Sequence, residues 1–430
     1  MNKIKKNFSY LFIFCWIFLW ASINTSPGEI NFYGESYAQN INAARILFAL
    51  LASTLITIYF TCIFLSEKIK IKKIELFLFL FFLSQIVGLF FNKERSFNIE
   101  NLYLVILAIG TICLIILCNH YETKDFMKYF FYISISFLVL SLIFVLLGKL
   151  QELKNLNFYR LYSEHDLNLL GQANPRITGL SRMLAIINLF LILYFFKSKN
   201  FYLKNFLLIF LLFFTVIMLF MQSRGTVLCY FFSVVVIIFF LIKNKIRYRI
   251  KYFLILIVLP ILLFFSVNNF FLKENFSIEK NTKINNRILT HTTSGRYEIW
   301  FHTIKNYKYK TLFGHGPNGD RFFLKSFNQK EIFGDNTSNV FLHSLVSGGV
   351  VSVFFLILIF FEILKIFIQN KKNFFSYHNS FWLNFSISCL VFFFIRSFFE
   401  NSFGLFSIDF LITYLSINYI VISAQKLHTK

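Results

Sequence analysis

Long apolar blocks recur along the whole chain and constrain its fold more than any other feature. A helix needs roughly twenty apolar residues to cross the hydrocarbon core of a bilayer. Backbone polar groups in lipid must be satisfied within the span, which favours helices over open sheets. The sequence therefore predicts an all-α polytopic membrane protein with about twelve transmembrane helices. The predicted spans are 8–23, 43–65, 74–91, 102–118, 129–148, 183–196, 205–221, 226–242, 252–267, 340–364, 381–395 and 405–421.

Lysine and arginine alternate between the two sides of these spans. The amino end and the connection 66–73 are rich in lysine, whereas the connection 24–42 between them has neither basic residue. Short connections with many basic residues stay in the cytoplasm. If twelve spans are counted, the basic connections 197–204 and 243–251 and the carboxyl end fall on this same side. Both termini are therefore predicted to be cytoplasmic.

The formal net charge of +23 would suggest a nucleic-acid partner in a soluble protein. Here the basic residues flank apolar spans, where they meet anionic lipid. We therefore expect membrane lipid as a partner and no nucleic acid. All six cysteines lie inside apolar blocks without a CxxC pair, so no disulfide framework and no metal site is predicted.

Two long loops fall on the side opposite the termini. They divide the chain into nine spans within 1–267, which include a first loop at 149–182, then a large loop at 268–339 and three spans within 340–430. In the large loop, Ser294 is a candidate helix cap. Apolar residues follow at helical spacing and are expected to pack on the span bundle. These residues are Tyr297, Trp300, Ile304 and Tyr307. A turn is predicted from Gly314 to Pro317.

Arginines from distant parts of the chain are predicted to meet on this loop side, at the ends of the spans. They are Arg176, Arg182, Arg224, Arg296 and Arg396. A guanidinium fork binds two phosphate oxygens and stays protonated, so the set suits an amphiphile with a diphosphate headgroup. Two simpler interpretations stay open. A lone arginine at a span end often reaches lipid phosphate, and Arg396 could pair with Glu400 one helical turn later.

Four motifs on this side resemble the O-antigen ligase and O-antigen polymerase superfamily of membrane glycosyltransferases. The first is Arg224-x-x-x-Leu228. The others are Gly295-Arg296 with Trp300 and Gly314-x-Gly316, then Ser338-Asn339 before Gly348-Gly349, and finally Arg396 with Glu400-Asn401. The order of the motifs and their places in the predicted topology make the resemblance more specific than any one motif.

The resemblance implies a metal-independent glycosyltransferase without a cofactor, in the bacterial inner membrane with its active face in the periplasm. The donor would be a glycan on undecaprenyl diphosphate. The acceptor would be another lipid-linked glycan for a polymerase, the lipid A core for a ligase, or a protein side chain. Arg224 and Arg296 would be catalytic. Residues that would bind the diphosphate or glycan are Arg176, Arg182, Arg224, Arg396, Glu400 and Trp300.

One position departs from the ligase pattern. Ligases carry a histidine eleven residues before a glycine, and Ser338 stands eleven residues before Gly349 here. A serine does not act as a general base at neutral pH. Asp335 and His343 are nearby candidates for that role, so the catalytic candidates include Asp335, Ser338 and His343. The missing histidine favours a polymerase over a ligase.

Two other classes of function remain open from the sequence. A non-enzymatic flippase or transporter of lipid-linked oligosaccharide would also have about twelve spans. It should, however, expose polar groups at mid-membrane depth, whereas the predicted spans of this chain are nearly free of charge and the candidate site residues gather at one side. A sensor or assembly protein could use the large loop as a binding surface.

Overall fold

The structure is a computed structural model in which the described residues are helical and contain no strand. The described residues are 2–23, 37–66, 69, 71–91, 99–121, 124–148, 177–221, 223–241, 246–266, 296–307, 312–325, 337–376, 380–400 and 407–428. The helices are α1 Asn2–Ala21, α2 Tyr37–Ser66, α3 Lys73–Phe91, α4 Ile99–His120, α5 Lys124–Gly148, α6 Ile177–Lys197, α7 Phe201–Phe220, α8 Arg224–Val236, α9 Ile246–Phe253, α10 Arg296–Asn306, α11 Gly319–Lys325, α12 Val340–Ser376, α13 Phe381–Arg396 and α14 Ile408–His428. Helices α8 and α9 continue as π-helical turns over Ile237–Leu241 and Leu254–Val258.

The apolar helices coincide with the twelve predicted spans. Within the described residues, eight helical segments are long and apolar enough to cross a membrane. Four shorter apolar helices occupy the remaining predicted positions, at Tyr10–Ala21, Met127–Ile143, Phe381–Arg396 and Ile408–Ala424. The all-α polytopic membrane fold is therefore confirmed. The number of twelve spans, the sides of the membrane and the division at 267 and 339 remain predictions.

Helix α6 begins six residues earlier than the predicted sixth span. It starts at Ile177 rather than at 183, so Arg182 lies inside a helix and not in the preceding loop. Leu180 and Ser181 are buried with Met183 and Leu184, which means that the packed surface continues through the arginine. The hydropathy pattern missed this first turn because the charge of Arg182 interrupts it.

Helix α14 is the centre of the bundle. Every residue from 408 to 424 is buried, and the helix contacts α4, α5, α12 and α13. A helix that is apolar around most of its circumference is normally enclosed by others. Asp409, a charged residue in the first turn of α14, is therefore expected to find partners inside the protein.

Helix α12 is broken at Gly349, where φ is 69°. A segment of the large loop inserts at the break: His315 N donates to Val346 O at 2.8 Å, and Gly316 N donates to Ser347 O at 2.8 Å. These bonds satisfy carbonyls that the break removes from the helical pattern. The insertion fixes part of the large loop against the spans.

The inserted segment also packs on α3 at Gly88. A β-carbon at Gly88 would lie 2.3 Å from the Phe313 carbonyl oxygen and 2.9 Å from Gly316 N. Only a hydrogen at this position allows the two backbones to approach so closely. The packing of α3, the inserted segment and the broken α12 therefore depends on glycine.

Candidate functional site

Three helices bring two arginines to one buried carboxylate. Asp409, near the start of α14, is 1% exposed. Its Oδ1 lies 2.7 Å from Arg182 Nη1 of α6, and its Oδ2 accepts a hydrogen bond from Arg396 Nη1 at the end of α13. A buried charge is tolerated when it is paired and hydrogen-bonded. Asp409 therefore fixes both guanidinium groups at this end of the bundle, which we call the site end.

A second ion pair joins the large loop to the same end. Arg296, the first residue of α10, donates from Nη2 to Glu400 Oε1 at 2.7 Å, and both side chains are partly exposed. A β-carbon at Gly225 would lie 3.9 Å from Arg296 Nη1. Arg296 therefore lies against the start of α8, where Arg224 is exposed to solvent.

The two ion pairs form one charged cluster. Arg182 is close enough to Asp409, Arg396 and Glu400 to interact electrostatically with each. With Arg224 at the neighbouring helix start, four arginines face two carboxylates, so the cluster carries net positive charge. The structure thus brings together Arg182, Arg224, Arg296, Arg396 and Glu400, all of which the sequence had singled out. Their chemical roles remain predictions.

The partners of two residues differ from the simplest sequence interpretation. Glu400 follows Arg396 by one helical turn, and its backbone N–H does bond the Arg396 carbonyl at 2.8 Å. The carboxylate of Glu400, however, pairs with Arg296 across the site, while Arg396 pairs with Asp409. The arginine at the end of α13 is therefore held by the protein interior and does not simply reach lipid phosphate.

The segment before α12 is fixed beside this cluster. Trp300 Nε1 donates to Thr337 O at 2.8 Å, and Asn339 caps α12 by accepting from the first-turn backbone at 2.9 and 3.1 Å. Asn339 Nδ2 also donates to Phe398 O at 3.2 Å. Ser338, with φ of 45° and a partly exposed side chain, is thereby placed where α10, α12 and α13 meet.

A buried acidic residue holds this segment through hydrogen bonds. Asp320 of α11 accepts through Oδ2 from Thr337 N at 3.2 Å and from Thr337 Oγ1 at 3.1 Å. The same oxygen lies 3.1 Å from His343 Nδ1, and both side chains are buried. Among the described residues, neither ring nitrogen of His343 has a partner in hydrogen-bond geometry, so the contact with Asp320 is one of close approach. Asp320 and His343 thus form a carboxylate–imidazole pair beneath the segment that contains Ser338.

Helix α10 packs through a different face from the one predicted. Ile299 and Thr303 are buried, and Trp300 and Tyr307 bond to α12 and the segment before it. Tyr297 and Ile304, which were expected on the packed face, are instead 62% and 64% exposed. The prediction was wrong for these two because the packed face runs through Ile299 and Thr303 together with Trp300 and Tyr307, so the predicted stripe was displaced around the helix.

Two acidic residues of the site were missed in the sequence. Asp409 lies inside the predicted span 405–421, and a charged residue at membrane depth normally indicates a functional or paired group, so that rule could have found it. Asp320 follows the predicted turn and carries no comparable signal. Arg176 and Asp335 lie outside the described residues. No three His, Cys, Asp or Glu side chains gather as a metal-binding group in the part of the chain that the structure describes.

Part of the chain matches a known protein family. Residues 207–357, about a third of the chain, match the family described as O-antigen ligase. The matched region contains Arg224, Arg296, Trp300, Ser338 and His343, and ends before Arg396. The resemblance to the O-antigen ligase and polymerase superfamily is thereby confirmed for this region. No match was found among curated proteins.

Proposed function

We propose that the protein, which resembles the O-antigen ligase family over residues 207–357, is a membrane glycosyltransferase that extends a lipid-linked polysaccharide. It takes a glycan from an undecaprenyl-diphosphate donor and transfers it to a sugar hydroxyl of the acceptor. The observation that carries the proposal is the gathering of Arg182, Arg224, Arg296 and Arg396 at one end of the bundle. The protein would lie in the bacterial inner membrane, with cytoplasmic termini and the site end in the periplasm.

The arginines would bind the diphosphate and stabilise it as it leaves. Each guanidinium can donate to two phosphate oxygens. Because Asp409 and Glu400 already orient three of the arginines, little reorganisation is needed when negative charge develops on the leaving group. The positive groups supply this stabilisation themselves, so the proposed transfer uses no metal and no cofactor.

A base must take the proton of the acceptor hydroxyl during the transfer. His343 is one candidate, since it is an imidazole next to the segment that carries Ser338 and its Nδ1 lies 3.1 Å from the Asp320 carboxylate. Its side chain is 1% exposed, so this role requires the segment 337–339 to move when the acceptor binds. Asp335 is the other candidate.

A polymerase is proposed rather than a ligase because Ser338 occupies the position where ligases carry histidine. The acceptor would then be a second lipid-linked glycan, with the lipid A core as the alternative. A deletion strain separates the two by the gel profile of its surface polysaccharide. Loss of the ladder with one capped unit retained indicates a polymerase, whereas free polymer that is not attached to lipid A indicates a ligase.

Arg224 provides the test of the proposed site. The deletion strain is complemented with Arg224→Ala, with Arg224→Lys and with Arg247→Ala, which removes an exposed arginine from α9. We expect long chains to be lost with Arg224→Ala, reduced with Arg224→Lys because lysine lacks the fork, and kept with Arg247→Ala at equal protein level. Long chains with both Arg224 variants would refute the catalytic role.

A further inference from the structure

Helix α10 presents an apolar face that no described residue covers. Tyr297, Phe301 and Ile304 are 62%, 52% and 64% exposed. The rings of Tyr297 and Phe301 are nearly parallel, with centroids 6.3 Å apart and planes at 19°, and Lys305 Nζ lies 5.9 Å from the Phe301 ring centre. Aromatic and aliphatic side chains with a flanking lysine are typical of helices that lie at a membrane surface.

Contacts of α10 with α12 show how deep this helix lies. Trp300 bonds to Thr337, which precedes α12, whereas Tyr307 OH donates to Leu345 O at 3.0 Å. Leu345 follows the first residue of α12 by five positions, which is about 7.5 Å along a helix at 1.5 Å per residue. The carboxyl end of α10 is therefore deeper in the bundle than Trp300.

The chain that follows α10 gives a second depth marker. Phe313 and Gly316 pack against Gly88, three residues before α3 ends at Phe91. Gly88 itself lies within the apolar part of a span that is long enough to cross the membrane. Helix α10 thus runs beside the span ends, and the chain that follows it enters the bundle at membrane depth. The headgroup region of a bilayer begins at the level of the span ends.

We infer that the face formed by Tyr297, Phe301 and Ile304 lies in the lipid leaflet at the site end, and that its partner is the bilayer surface. The helix would then hold its first residue, Arg296, at the height of the lipid phosphates. If the proposed function holds, the diphosphate of a lipid-linked donor in that leaflet reaches Arg296 without leaving the membrane. The lipid contact itself does not depend on that function.

Spin labels in proteoliposomes of phosphatidylethanolamine and phosphatidylglycerol test the inference. Phe301→Cys is made in a Cys62→Ser background, because Cys62 is an exposed cysteine whereas the other five are buried. Both changed side chains are exposed, so the fold should be kept. Phe213→Cys on α7 serves as the lipid reference and Lys199→Cys as the water reference, since both positions are exposed.

We expect a label at position 301 to collide more often with oxygen, which is concentrated in lipid, than with a water-soluble nickel chelate. The lipid reference at position 213 should behave in the same way, and the water reference at position 199 should show the opposite preference. Accessibility like that at 199 would overturn the inference, and so would protection of position 301 by soluble glycan fragments, which would identify a sugar-binding face. No glycan transfer is needed for this measurement. A failure of the proposed function, measured with the Arg224 variants, is therefore distinguishable from a failure of the lipid contact.

Discussion

Replacing Asp409 with asparagine should destabilise the protein and increase its affinity for a diphosphate. The carboxylate neutralises Arg182 and Arg396 together, at 2.7 Å from Arg182 Nη1 and hydrogen-bonded to Arg396. Asparagine keeps the size of the side chain but removes the charge. Two guanidinium groups, of which Arg396 is 4% exposed, would then lose the carboxylate that they share.

The expected loss follows from the burial of these groups. Removing one partner of a buried ion pair typically costs about 3–5 kcal/mol. The Arg182 side chain is 16% exposed, so solvent relieves part of the repulsion. We therefore expect the lower end of the range, about 3 kcal/mol, which is on the order of a hundredfold in the unfolding equilibrium. The matched control is Glu362→Gln, because Glu362 pairs with the exposed Lys365 at 3.8 Å and should lose no more than about 1 kcal/mol.

Unfolding of the purified protein in detergent, with and without pyrophosphate, measures both effects. A ligand that binds only the folded protein stabilises it by about 2.7 kcal/mol at a hundred times its dissociation constant. Because Asp409→Asn frees two arginines, pyrophosphate should stabilise this variant more than the wild type, and sulfate at equal ionic strength should do less. An unfolding free energy equal to that of the wild type would refute the buried pair. An equal response of both proteins to pyrophosphate would refute these arginines as a diphosphate site.

Two further substitutions test how the site is supported. Gly88→Ala would place a β-carbon 2.3 Å from the Phe313 carbonyl oxygen, and we expect it to lower the unfolding free energy by about 1–3 kcal/mol. Gly225→Ala is the control, because its β-carbon would meet its nearest atom at 3.7 Å and should change the unfolding free energy little. Asp320→Asn should weaken the bonds from Thr337 by about 1.5–3 kcal/mol and expose the segment 337–339 to protease, and unchanged protease resistance would contradict this support.

The sequence predicted the helices because their signal is local. Each span is a continuous run of apolar residues, and the alternation of basic connections orders the runs across the membrane. The same alternation brought Arg182, Arg224 and Arg396 to one end without any knowledge of their contacts. The predicted topology alone was therefore sufficient to place these arginines at the same end of the bundle.

The choice of partners was not predictable from the sequence. Arg396 pairs with Asp409 on the contacting helix α14, and not with Glu400, which is nearer in sequence. The break at Gly349 was visible only as a pair of glycines in a motif. Its meaning depends on backbone bonds to residues more than thirty positions away, and such bonds leave no pattern in either segment.

These backbone bonds explain how a large loop can hold an arginine in a fixed place. The insertion of His315 and Gly316 into the broken α12 fixes the start of α11, and α11 carries Asp320. Asp320 holds Thr337, whose carbonyl holds Trp300. Trp300 lies one helical turn after Arg296 on α10. The position of Arg296 against Glu400 therefore depends on a series of short, directional contacts that begins at the broken helix α12, and the proposed stabilisation of a leaving diphosphate would use this preorganisation.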